Sequence, residues 1–261
     1  MKPDLGIAAR ILLLSAREAF RNRAGLALFF FIPGIFLGIV RITAGALPVP
    51  IEVYFREEVL NLSPTQLNVS LVFVATSVTG FLSAYFALTL FQQNFDYWRH
   101  SVFLGLSPAT LLIGRFGFFL ILAATLAGST TLLIGHWVPL KQTAAVYAGF
   151  LSIALIYGTA GALAGTMTRD FLLAVLASAL LADIDAAWLQ NPVYYTAAER
   201  MELIRWLPAY YPTQMVFAAG FDGRTNWLAV ERSGLWAAGL LLLLFVVLGW
   251  KMRGLTRRLH P

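Results

Sequence analysis

The chain has 261 residues, 59% of them hydrophobic and only 12% charged, with a mean hydropathy of +0.74. Soluble domains carry roughly 45–50% apolar and about 25% charged residues, and a 28.7 kDa domain has too little interior to hide the excess. This composition, with no cysteine, excludes a disordered chain and a disulfide-built secreted domain. The net charge of +6 and pI near 9.8 would suit nucleic-acid binding, but the basic residues sit at the ends of apolar segments, which excludes that too.

In chain order, residues 5–22 read first as an amphipathic helix. Arg10, Arg17 and Arg21, spaced by seven and four, share one face, while Leu12, Ala16, Ala19 and Phe20 cover another. Such a helix lies in the headgroup layer with its arginines toward anionic lipid, a placement compatible with a positive cluster that only sets topology. A bilayer core takes about 20 apolar residues per helix, and charge-free stretches supply six such spans. They cover 24–40, 59–95 with its apolar core at 69–91, 116–140, 142–168, 171–182 and 233–250, the fifth being short. Ala44, Gly45 and Ala46 follow the first span like a cleavage site, yet more than twenty residues precede that span, so it is expected to stay uncleaved. With the N-terminus inside, twelve of the nineteen basic residues and four of the thirteen acidic ones are cytoplasmic, an inner balance of +8 against −2 outside. Both termini are therefore expected in the cytoplasm.

The connections are uneven. Residues 42–66 form a small acidic outer loop with Glu52, Glu57 and Glu58. Residues 94–108, NFDYWRHSVFLGLSP, lie on the cytoplasmic side, with Asp96 three residues from Arg99 and four from His100, helical-neighbour spacings. With Tyr97 and Trp98 this segment fits either a helix that docks another protein or an interfacial aromatic anchor. The longest outer piece, 183–232, predicts a helix at 196–206 and then short helices broken by Pro208, Pro212, Gly220 and Gly223, dipping partly into the outer leaflet. Gly34 and Gly38 in span one, and Gly161 and Gly165 in span four, have the small-x-x-x-small spacing of close helix packing, within the chain or with a second copy.

Chemistry is sparse. The only lysines, Lys2, Lys141 and Lys251, are not preceded by glycine, so the chain holds no Gly-Lys-Ser/Thr phosphate loop. His100, His136 and His260 are far apart and form no metal-ligand spacing. Ser107 and Ser233 fit neither an intramembrane serine-protease setting nor a Gly-x-Ser-x-Gly elbow. Ion coupling would place acidic residues in mid-membrane, and the spans are nearly free of them. Asp183 and Asp185 at the outer end of span five, and Arg41 at the outer end of span one, read most simply as headgroup-level surface residues. Lining an exit or pairing with one another are the alternatives.

This order of parts resembles the permease subunit of type-2 ABC exporters. The elbow is matched by 5–22. The coupling helix is matched by Asp96 to Leu106, with Leu106-Ser107-Pro108-Ala109 similar to the family's Leu-Ser/Thr-Pro stretch, and the outer helices by Trp206-Leu207-Pro208-Ala209-Tyr210-Tyr211-Pro212. The coupling segment departs from the family's Glu-Arg/Lys-x-x-Gly start, reading Phe95-Asp96-Tyr97-Trp98-Arg99. The resemblance implies one permease domain over 1–261, an all-α integral membrane fold of six transmembrane helices with an N-terminal interfacial helix, a cytoplasmic coupling helix and re-entrant outer helices. It implies location in the plasma (inner) membrane and a second permease copy, identical or paralogous. ATP and Mg belong on a separate ATP-binding cassette subunit, with no cofactor and no catalytic group in this chain. Asp96, Tyr97, Trp98, Arg99 and His100 would contact that subunit. Spans one, two and five would wall a path for a hydrophobic or amphipathic substrate, with Phe30, Arg41, Asp183 and Asp185 as pathway or outer-gate residues. A non-transporting scaffold or immunity subunit and an ion-coupled carrier are the other classes that share the hydropathy.

Overall fold

The computed structural model describes residues 4–55, 58–92, 100–168, 170–191 and 200–257, without side chains from 252 onward. Asp96, Tyr97, Trp98 and Arg99 therefore lie outside the described residues, as does the first part of the helix expected at 196–206.

Helix α1 (Leu5–Arg21) starts where the Asp4 carboxylate accepts from the Gly6 and Ile7 amides, and ends at Asn22. The Asn22 side chain then accepts from the Gly25 amide and opens α2 (Arg23–Thr43), so one asparagine closes the first helix and starts the second. A hairpin of β1 (Ile51–Tyr54) and β2 (Val59–Leu62) follows, antiparallel with Ile51 opposite Leu62 and Tyr54 opposite Val59. This small sheet is the exception to the expected all-α fold. Its alternation buries Ile51 and Val53 while Glu52 and Tyr54 stay partly exposed.

Four apolar helices come next: α3 (Gln66–Gln92), α4 (Pro108–Trp137), α5 (Thr143–Met167) and α6 (Phe171–Ala182). Before α4, a helical turn at 100–103 stops at Gly105, whose φ of 93° a side chain would strain. Helix α6 runs on into a π-helical stretch, Asp183–Leu189, which lengthens the short fifth span to 19 residues. After α7 (Met201–Arg205), α8 (Tyr210–Phe217) continues as a π turn to Asp222, and Gly223 at φ 84° ends it. Last is α9 (Trp227–Arg257).

Among the described residues, six helices are long and apolar enough to cross a membrane: α2, α3, α4, α5, α6 with its π extension, and α9 over Trp227–Lys251. The chain is a multi-pass, mostly helical membrane protein by that measure. Helix α3 is the hub, buried along most of its length and packed most extensively against α5. Helix α2 sits at the rim with only Gly25 and Leu37 buried, and exposed Leu, Ile, Val and Phe side chains cover the outward faces of α2, α6 and α9.

One boundary differs from the sequence expectation in an informative way. Span three was expected to begin after Arg115, but α4 begins at Pro108 and carries Arg115 inside it at 2% exposure. The charge is tolerated there because Arg115 Nη1 donates to Glu18 Oε2 of α1 at 2.7 Å.

Candidate functional site

Three arrangements bear on function: the seat of α1 on α4, a groove on the rim of the bundle, and a buried carboxylate at the bend of α6.

The exposed arginines of α1 share one face as the spacing predicts, and Ile7, Ala8, Ile11, Leu12, Ser15, Ala16 and Ala19 turn inward. Phe20, expected on the apolar face with Leu12, Ala16 and Ala19, does not join them against the bundle and is exposed. The inner face lies on α4 so closely that a Cβ on Gly114 would come within 2.7 Å of the Ala8 carbonyl oxygen and Ile11 Cβ. The Asp4 amide donates to Thr110 Oγ1 at 3.1 Å, and the Glu18–Arg115 pair closes the other end of the seat. Thus α1 is fixed to the first two turns of α4, directly after the segment 94–108. Of the five residues expected in partner contact, His100 alone is described, exposed at the start of the turn that leads to Ser107.

The groove lies between α2, α3 and α6, a cavity of about 480 Å³. Its walls are Ile32 and Phe36 of α2, Val74, Val78 and Phe81 of α3, and Leu176 and Leu180 of α6. One polar pair interrupts the apolar lining, where Ser77 Oγ donates to Asp183 Oδ1 at 3.2 Å. Of the expected pathway residues, Asp183 lines this groove. Phe30 does not, being 69% exposed on the opposite side of α2, about 200° around the helix from Ile32. Arg41 sits apart, its guanidinium carbon 5.9 Å from the Trp137 ring centroid, and among the described residues it pairs with neither aspartate.

Asp185 departs most from expectation. It is not a headgroup-level surface residue but only 5% exposed, inside the bundle. The π turn rotates it away from the groove that Asp183 lines and toward α5 and α8. The Tyr157 hydroxyl and the Ala209 amide donate to its Oδ2, the latter at 3.1 Å, and Gln190 Nε2 donates to Oδ1 at 3.1 Å. Three donors from α5, from the end of the π segment and from the start of α8 therefore converge on one carboxylate, which joins the three elements. The Tyr157 ring in turn packs where a Cβ on Gly80 of α3 would lie, 3.1 Å away.

At the same end of the bundle as the hairpin, α8 is buried among α3, α5, α9 and β1. Gln214 Oε1 accepts from the Tyr54 amide at 3.2 Å, and Asn226 Nδ2 donates to the Tyr54 carbonyl at 2.7 Å. The Tyr54 hydroxyl donates to Glu52 Oε2 at 2.6 Å. That bond to a carboxylate, with partial burial, holds the phenol above its ordinary pKa, so Tyr54 remains neutral and keeps donating at physiological pH. The chain has no cysteine, and the described residues contain no group of three or more His, Asp or Glu placed to hold a metal ion.

Neither a protein-family model nor a curated protein matches the chain.

Proposed function

We propose that the chain is the membrane-spanning permease subunit of an ATP-driven exporter for a hydrophobic or amphipathic substrate, with ATP hydrolysis on a separate subunit. The observation that carries this reading is the apolar groove between α2, α3 and α6, a volume within the range that holds small ligands. Its walls are the three spans expected to line the path, and its one polar pair, Ser77–Asp183, suits a substrate with a polar head and an apolar body. A second copy packed on the thinly covered face of α2 would close the groove into a central path.

In this reading α1 is the interfacial elbow, 94–108 holds the coupling helix on the cytoplasmic side, and α7 and α8 are outer re-entrant helices. Closure of the ATP-binding subunits pushes on the coupling helix at 96–106. The push passes into α4, on which α1 is locked through Gly114 and the Glu18–Arg115 pair, so α1 and α4 move as one body. At the far end, Asp185 ties α8 to α5 and α6, so a rocking of the spans moves the outer helices with them.

The test is export from vesicles containing this chain and its ATPase partner. Asp96→Ala with Arg99→Ala should insert normally and abolish ATP-coupled export; unchanged export would remove the coupling assignment.

The second reading is a proton-coupled carrier, and buried Asp185 is the feature that favours it. Such a carrier would stop when a protonophore collapses the gradient and would ignore ATP. The exporter reading requires the reverse.

A further inference from the structure

A second cavity, of about 560 Å³, opens at the hairpin end between α7, α8 and the first turns of α9. Its charge and polarity are graded along the membrane normal. Arg232 stands immediately before the apolar stretch 233–250 of α9, at the depth where a helix meets headgroups. Below it on the cavity wall come Leu235, Trp236 and Gly239, the last about 10 Å deeper at 1.5 Å of rise per residue. A Cβ on Gly239 would meet no atom within 4 Å, so the wall there is open rather than filled.

Arg205, at the end of α7, faces Arg232 across the same cavity. Its guanidinium carbon lies 4.2 Å from the Tyr54 ring centroid, which orients the group, and its Nε is buried without a hydrogen-bond acceptor among the described residues. Arg232 has no ion-pair or hydrogen-bond partner among the described residues either. Against these two guanidinium groups the lining sets one carboxylate, Glu202, so the mouth is net cationic above an apolar floor. Trp206 flanks it, with the amphipathic ring that favours headgroup depth.

We infer that this cavity is a binding site for an anionic phospholipid of the leaflet on the hairpin side, with Arg205 and Arg232 on the phosphate and the Leu235–Gly239 wall along an acyl chain. A phosphodiester gives the unsatisfied Arg205 Nε an acceptor and offers both guanidinium groups charge-assisted bonds. A free phosphate shares that chemistry but leaves the apolar floor empty. The site is separate from the groove of α2, α3 and α6 and does not depend on what crosses the membrane there.

The test uses the full chain, purified in mild detergent, exposed to equimolar phosphatidylglycerol and phosphatidylcholine and examined by native mass spectrometry. The wild type should retain phosphatidylglycerol about tenfold over phosphatidylcholine, as two arginines at an anionic headgroup imply. Arg205→Gln with Arg232→Gln should erase that preference. Arg205 is packed against Tyr54 and its loss could disturb the fold, so Arg232→Glu alone, an exposed change, is the second variant and should reduce retention at unchanged elution volume. Excess inorganic phosphate should leave the lipid in place. Equal retention of the two lipids by the wild type, wild-type retention by Arg232→Glu, or displacement by inorganic phosphate would each overturn the assignment.

Discussion

Helices α2 and α5 carry the same Gly-x-x-x-Gly spacing and use it in opposite ways. In α5, a Cβ on Gly161 would collide with the carbonyl oxygen and Cα of Ala84, and one on Gly165 would press on Leu88 and Gln92. The two glycines let α5 and α3 approach backbone to backbone, the tightest seam of the bundle. In α2, a Cβ on Gly34 or Gly38 would meet nothing within 4 Å. The motif states that a close approach is sterically open; only the rest of the helix determines whether the partner is in the same chain. Helix α5 is buried through most of its length, so its partner is internal, whereas α2 is buried at two residues and leaves its glycines uncovered, where the proposed second copy would pack.

That contrast can be broken at four points. Gly161→Val should have the largest effect, about 3 kcal/mol of destabilisation from overpacking against backbone that cannot retreat. Fluorescence-detected gel filtration should show the folded peak lost, and a wild-type profile would mean that the α3–α5 seam is looser than described. Glu18→Ala should cost on the order of 2 kcal/mol, reduced from the roughly 3–5 of a fully buried pair because Glu18 is half-exposed. Thermal unfolding in detergent would register it, with the exposed Arg17→Ala as the control that should not shift.

Asp185→Asn places an amide among three donors and should cost about 1–2 kcal/mol, most visible as faster proteolysis at α7 and α8, which that carboxylate holds. Gly34→Leu with Gly38→Leu should be the mildest for the single chain, within about 0.5 kcal/mol. The same variant should lose the self-association that cross-linking detects. A destabilised monomer, or an unchanged dimer, would remove α2 from the proposed interface.

Much of the bundle was legible because hydrocarbon imposes a length and excludes charge, and both can be counted along a chain. The six spans and the two-faced character of α1 follow from that. What the sequence concealed lies where a charge is neutralised from a distance. Arg115 looked like a span boundary because its partner, Glu18, is 97 residues earlier. Asp185 looked superficial because its donors Tyr157 and Ala209 are 28 and 24 residues away. The hairpin at 51–62 carried a period-2 signal in Ile51, Val53, Leu60 and Leu62 that the acidic character of the loop overshadowed. The walls of the groove were anticipated as helices, but the side chains were not: Ile32 and Phe36 line it in place of Phe30, a matter of helical angle that one turn of a run of phenylalanines cannot specify.

The central claim is that an apolar groove in this chain is worked by a motor on another. Affinity purification of the full chain from its native membrane in mild detergent, with identification of the copurifying proteins, tests that claim most directly. The account predicts stoichiometric recovery of a soluble subunit that carries a Gly-Lys-Ser/Thr phosphate loop, and its release by the Asp96→Ala, Arg99→Ala variant. Recovery of this chain without such a subunit across several detergents would contradict it.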